Sequence, residues 1–131
     1  MVVIFAELLT VAKKVNNYLI NATTTWTSTT TQKWTVPVGK RWFIVGGKVH
    51  RDVSSTIVVV ITETGDGVIM SLGEGAAATG AFAFPSQASS ANNQHMPYMP
   101  VVDAGEHVLV TLGTAQSTAA YVSCVVLEVD V

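Results

Sequence analysis

The fold is decided by the stretch Ser55-Thr56-Ile57-Val58-Val59-Val60-Ile61-Thr62-Glu63-Thr64-Gly65-Asp66-Gly67-Val68-Ile69-Met70-Ser71-Leu72. It contains two runs rich in β-branched and apolar residues, and the turn residues Gly65, Asp66 and Gly67 lie between them. Glycine and aspartate tolerate the left-handed backbone that tight hairpin turns require, so this pattern predicts a β-hairpin.

Extended runs separated by turn signals continue from residue 33 to the end of the chain. The turns are marked by glycine, proline and aspartate, as in Pro37-Val38-Gly39 and Asp103-Ala104-Gly105. The expected extended segments are Lys33–Val36, Arg41–His50, Ser55–Glu63, Val68–Leu72, Ala81–Phe84, Tyr98–Val102, His107–Leu112 and Ala120–Val129. Eight short strands with regular turns predict a mostly β protein, specifically a jelly-roll-like antiparallel β-sandwich.

The last of these segments is apolar on both sides. Val122, Cys124 and Val126 point one way, and the residues between them, which include Val125 and Leu127, point the other way. A strand with two apolar faces is expected to be covered on both. The lone cysteine, Cys124, is interpreted as a small buried hydrophobic residue rather than a nucleophile.

The N-terminal residues follow a different period. Apolar residues recur at three- and four-residue steps from Val3 to Leu19, which predicts a short amphipathic helix. A strand through Val2-Val3-Ile4-Phe5 is the alternative. The threonine-rich tract from Asn21 to Gln32 is interpreted as an extended arm, with an edge strand or a linker as alternatives. The expected organisation is an N-terminal helix and arm over residues 1–32 and a β-sandwich domain over residues 33–131.

Charged residues make up only 12% of the chain, against about 25% in a typical soluble domain, while 49% are hydrophobic. Either serine and threonine solvate the surface, or other subunits cover part of it. The charges are also segregated, since all seven Lys and Arg lie at or before Arg51 and every acid except Glu7 lies at or after Asp52. This makes the subunit dipolar if the two halves form different faces, and the asymmetry cancels if their strands interleave.

No group of residues in the sequence predicts a catalytic or ligand-binding site. The three histidines, His50, His95 and His107, do not stand at metal-ligand spacings. No phosphate loop or nucleophile elbow is present, and the basic residues are too few to predict nucleic-acid binding. Glu7 and the two lysines at 13 and 14 interrupt the apolar N-terminal stretch, which argues against a membrane span. We therefore expect no enzyme and no catalytic, cofactor-binding or metal site.

Two stretches resemble a family of β-sandwich proteins found in phage and virus particles. They are Trp34-Thr35-Val36-Pro37-Val38-Gly39-Lys40-Arg41-Trp42-Phe43-Ile44 and Pro100-Val101-Val102-Asp103-Ala104-Gly105-Glu106-His107-Val108-Leu109-Val110. In both, a turn leads into a strand. The resemblance covers residues 34–131, and it implies a capsid decoration or cement protein, a minor capsid protein or a small fibre head, which are usually trimers.

The resulting expectation is a virion structural protein that acts by protein–protein assembly. Its expected partners are further copies, as a homotrimer or larger, and a major capsid or other virion protein; its expected location is the virion, assembled in the host cytoplasm. The expected assembly interface consists of Ile4, Phe5, Leu8, Val11, Val15, Trp26, Lys40 and Arg41.

Two other classes of function remain open. One is a ligand- or carbohydrate-binding module such as a fibre tip, in which aromatic rings stack on sugars. The candidate rings are Trp26, Trp34, Trp42, Tyr98 and Tyr121. The other is a metal-dependent jelly-roll enzyme.

Overall fold

The computed structural model describes residues 15–23, 31–85, 99–116 and 120–131. These residues form seven strands and no helix: β1 (Val15–Thr23), β2 (Thr31–Thr35), β3 (Lys40–Thr62), β4 (Val68–Phe84), β5 (Val101–Asp103), β6 (His107–Leu112) and β7 (Tyr121–Asp130). All of the strand pairs are antiparallel. The predicted mostly β, antiparallel class is confirmed.

The long strand β3 connects two groups of strands. Residues 40–50 pair with β7, which also pairs with β1. Residues 57–62 pair with β6, which also pairs with β2. The second strand of the hairpin, β4, follows β3 through both groups, and β5 pairs with the beginning of β3. We call the β1-β7 group the first sheet and the β2-β6 group the second sheet.

The two sheets enclose the main core. Val122, Cys124 and Val126 of β7 belong to the same buried cluster as Val108 and Val110 of β6, although β6 and β7 do not pair with each other. All five side chains are 0% exposed. The sheets therefore pack face to face, and burial of this apolar surface is the main stabilising contribution to the fold.

A polar network supports the corner where β3 passes from one sheet to the other. The register with β4 shifts between Arg51 and Ser55. Gln116 accepts hydrogen bonds at 3.0 Å from the backbone N–H groups of Asp52 and Val53. The Ser55 hydroxyl accepts one from the N–H of Thr114. These side chains satisfy backbone groups that the interrupted strand pairing leaves open.

This corner explains why the predicted strands were too short. Arg41–His50 and Ser55–Glu63 form one strand, and Val68–Leu72 and Ala81–Phe84 form another. The sequence predicts turns in the glycine-rich residues 73–80, between Val68–Leu72 and Ala81–Phe84. They lie within β4, where glycines and bulges let a continuous strand bend.

The N-terminal expectations are tested only in part. Val15–Thr23 forms β1 and pairs with β7 along its length, and the helix predicted over Val3–Leu19 stays a prediction. Asn16 and Asn17 are weak helix formers, so pairing with β7 is favoured there. Residues 3–14 of the helix lie outside the described residues, as do residues 24–30 of the arm. The division at residue 32 remains a prediction.

Candidate functional site

A second apolar cluster lies on the side of the first sheet that faces away from the main core. Trp42 and Ile44 of β3 point into the main core, whereas Phe43 between them belongs to the second cluster. Leu127 and Val129 of β7 join it. The register pairs Phe43 with Leu127, so these side chains lie side by side. The prediction that β7 is covered on both faces holds at Leu127 and Val129, whereas Val125 on the same face is 39% exposed.

Exposed valines continue this cluster along the same strands. Val125, two residues before Leu127, is 39% exposed, and Val45, at a bulge beside Gly46, is 49% exposed. We call Phe43, Val45, Val125, Leu127 and Val129 the outer stripe. An outward sheet face in a sandwich is ordinarily polar, so the two exposed valines of this stripe, which lie beside its three buried members, are a candidate contact surface.

Ion pairs lie at one end of the outer stripe. The ammonium of Lys40 contacts the carboxylate of Asp130, and Nε of Arg41 donates to Asp103 at 2.5 Å. The hydrogen bond with Asp130 raises the pKa of Lys40. Both pairs are solvent-exposed, so they contribute little stability. Arg41 lies opposite Val129 and forms a polar border on the outer face, whereas Lys40 and Asp130 lie on the other face of the sheet.

An aromatic and basic group lies at the other end. The ring of His50 stacks on Tyr121, with 5.2 Å between ring centroids and 12° between ring planes. The Lys48 ammonium is 5.8 Å from the centroid of the same ring. The outer stripe therefore has an apolar centre and polar ends, which is the general composition of a protein–protein interface.

The ion pairs also decide between the two interpretations of the charge segregation. Lys33, Lys40 and Arg41 come from the basic half of the chain, and each pairs with an acid of the other half. The pKa of Asp66 is lowered by its hydrogen bond from Lys33. For these residues the strands interleave and the charges cancel locally, so the dipolar interpretation is not supported.

The outward face of the second sheet carries both apolar and polar side chains, since Val60 pairs with Leu109 there and Thr62 pairs with His107. Val58 is 37% exposed there, and its register partners are Glu74 and Thr111. On the same side, the hydroxyl of Thr35 is 2.8 Å from Nδ1 of His107. On the first sheet, by contrast, the exposed Val45 and Val125 lie beside a separate buried apolar cluster, which makes that sheet the better candidate for a partner.

The predicted assembly residues are placed as follows. Val15 lies in β1, opposite Val129. Arg41 lies at the end of the outer stripe and Lys40 on the other face of the same sheet, and the charges of both are paired within the chain. The remaining five, Ile4, Phe5, Leu8, Val11 and Trp26, lie outside the described residues, and their role stays a prediction.

The aromatic residues proposed for sugar binding do not form a platform in the described part of the chain. Trp42 is 3% exposed, and its indole N–H donates to Glu128 at 2.9 Å. Trp34 packs against the main core. The ring of Tyr121 is stacked by His50. Trp26 and Tyr98 lie outside the described residues.

The groups that could carry other functions are limited in the described residues. Burial raises the pKa of the Cys124 thiol to about 12, so at neutral pH it is protonated and unreactive. Within residues 15–23, 31–85, 99–116 and 120–131, no three His, Cys, Asp or Glu side chains group closely enough to hold a metal ion. In the same ranges, no helix is long and apolar enough to cross a membrane.

Comparison with known proteins yields no family. No family description and no curated protein matches the chain. Among solved structures, the chain is similar to the virus-like particle of extra small virus from the giant freshwater prawn Macrobrachium rosenbergii. The TM-score is 0.40 and the identity 12%, covering 90% of this chain and 79% of that one.

Infectious bursal disease virus provides further similar structures. Its Gx strain gives a TM-score of 0.36 at 12% identity, covering 92% of this chain and 33% of that one. Its VP2 subviral particle gives a TM-score of 0.31 at 12% identity, with the same coverage. The chain thus spans about a third of the length of these two. Similarity at this level does not assign a function, which has to follow from the residues of the chain.

Proposed function

We propose that this protein is a non-enzymatic structural subunit of a virus or phage particle and that it works by assembling with further copies of itself. A capsid decoration, cement or minor capsid role is the specific form proposed. The single observation that carries the proposal is the exposed part of the outer stripe, Val45 and Val125, on the outward face of the first sheet in a chain with few charges.

The strand pairing supports a jelly roll. Counting the halves of β3 and β4 separately and leaving out the three-residue β5 gives eight strand segments. They pair first with eighth (β1 and β7), second with seventh (β2 and β6), third with sixth and fourth with fifth (both within β3 and β4). These are the pairs of a long hairpin wrapped into two sheets. Jelly rolls are a common architecture of viral capsid domains, although lectins and cupins share it, so the virion assignment is an analogy at the level of the fold.

The composition of the surface supports assembly. The described surface carries large exposed apolar side chains, including Val45 and Val125 within the outer stripe. The basic residues nearest to the stripe are paired within the chain or lie against Tyr121. Covering the valines with a second copy would remove apolar surface from water without burying an unpaired charge.

The test is to place a charge within the outer stripe. We expect Val125→Lys to reduce the association constant by at least about 100-fold, because an ammonium would have to be desolvated in the apolar centre of the interface. The measurement is the association constant from sedimentation equilibrium of the full chain and the variant.

The matched control is Val58→Lys, which changes the same residue type at nearly the same exposure on the outward face of the second sheet. This variant is expected to assemble like the unmodified chain. The proposed surface is wrong if Val125→Lys assembles normally, or if Val58→Lys impairs assembly equally.

A further inference from the structure

The open edges of the two sheets differ in how well they are protected from pairing with another strand. In the described part of the chain, β1, β2, β4 and β5 each pair with a single neighbouring strand, so each leaves one row of backbone groups open. Such an edge pairs readily with a strand of another molecule unless short length, charged side chains, proline or bulges prevent it.

Three of these edges carry such protection. The strand β2 has five residues, with the charged Lys33 at its centre. The strand β5 has only three residues. The longer β4 is interrupted by four register shifts against β3. Each of these edges is therefore too short, charged or irregular to be a good template for a second strand.

The edge formed by β1 carries none of this protection. The strand has nine residues, which span about 30 Å, and it pairs with β7 from Val15 to Thr23 without a register shift. It contains no charged residue, no proline and no glycine, since its sequence is Val15-Asn16-Asn17-Tyr18-Leu19-Ile20-Asn21-Ala22-Thr23. This long, regular and uncharged edge is the best template for strand pairing in the described part of the chain.

We propose that the open edge of β1 pairs antiparallel with β1 of a second copy, so that the first sheets of two chains form one continuous sheet. Pairing of all nine residues places a two-fold axis beside Leu19, the midpoint of the strand. In this register Asn17 lies opposite the partner's Asn21, and no two charged residues of the paired strands meet.

The charges that precede β1 in the sequence favour the antiparallel direction. Lys13 and Lys14 come directly before Val15. A parallel, in-register pair would bring the same two lysines of both copies together at one end, where like charges repel. Antiparallel pairing separates them by the length of the strand. A second copy therefore fits this edge in one direction.

This inference goes beyond the proposed function, because it concerns the backbone edge of the first sheet and not the outer stripe. A two-fold contact joins only two chains. A chain with two separate contacts, the edge of β1 and the outer stripe, can build a larger species. Either contact can be wrong without the other.

The test is residue-resolved amide hydrogen exchange of the full chain at concentrations below and above its association. Neighbouring residues of an antiparallel strand direct their N–H groups alternately to the two sides, so about half of the β1 amides point away from β7. We expect these amides to exchange at least about 100-fold more slowly in the associated protein than in the dilute protein. The open edge of β2 is the matched control, and its exchange rates should not change.

Paired substitutions test the direction and the register. Asn17→Lys combined with Asn21→Lys places like charges opposite each other and should raise the concentration at which β1 becomes half-protected by at least about 10-fold. Asn17→Lys combined with Asn21→Asp places opposite charges there and should keep that concentration within a few-fold of the unmodified chain. Circular dichroism verifies that both variants are folded.

Four results would overturn the proposal. They are rapid exchange of the outward β1 amides at every concentration, protection of these amides already in the dilute chain, equal protection of the β2 edge on association, and equal effects of the two double substitutions. The first three are measured on the unmodified chain, so they do not depend on the folding of a variant.

Discussion

Replacing Arg51 with alanine is expected to lower the free energy of unfolding by about 3 kcal/mol. Arg51 is only 5% exposed. Its guanidinium donates to the carbonyl oxygens of Ser55 at 2.7 Å, Ala76 at 3.1 Å and Gly80 at 3.4 Å. Alanine would leave these carbonyls without their donor at the corner between the sheets.

The matched control for this prediction is Arg41→Ala. Arg41 also donates to an acceptor on another strand, Asp103, but its side chain is 41% exposed. Because water replaces the partner of an exposed charge, the expected cost is below about 1 kcal/mol. Urea unfolding of both variants measures the difference. If Arg51→Ala is no more destabilised than Arg41→Ala, the corner does not depend on this arginine.

Gly47→Ala is expected to destabilise the protein by about 2–3 kcal/mol, although glycine-to-alanine changes in strands are often neutral or favourable. Gly47 lies opposite Phe84 in the β3–β4 register. A Cβ at Gly47 would lie 2.0 Å from Cζ of the Phe84 ring. The ring is 3% exposed, so it cannot move aside without disturbing the core.

The neighbouring Gly46 provides the control, since its Cβ would meet only the carbonyl oxygen of Phe84 at an ordinary 3.6 Å. Gly46→Ala should therefore leave the thermal midpoint nearly unchanged. In a Phe84→Leu background, the cost of Gly47→Ala should fall, because the smaller side chain leaves room for a methyl group. Equal midpoints for Gly46→Ala and Gly47→Ala would contradict the packing of Phe84 over Gly47.

The strands and turns that depend on local sequence pattern can be predicted from the sequence alone. The hairpin around Gly65-Asp66-Gly67, the positions of β6 and β7 and the two apolar faces of β7 follow from alternation and turn chemistry. Local pattern could not reveal that β3 continues through the corner, because Arg51 and Gln116 stabilise that corner from 65 residues apart.

The candidate site was harder to predict because it depends on which strands become neighbours. Phe43 and Leu127 are 84 residues apart in sequence, and only the β3–β7 register brings them together. Apolar side chains at alternating positions of β7 predict an apolar outward face. No comparable pattern predicts that Val45 is exposed, because its exposure results from a bulge. Lys40 and Arg41 are predicted from the sequence as contact residues, but their acidic partners come from strands distant in sequence.

The most direct test of self-assembly through exposed apolar surface is the mass of the full chain in solution, measured by light scattering across a wide range of concentrations. We predict a defined species of at least three times the 13.8 kDa of one chain. A mass of 13.8 kDa at every concentration, up to the limit of solubility, would contradict it.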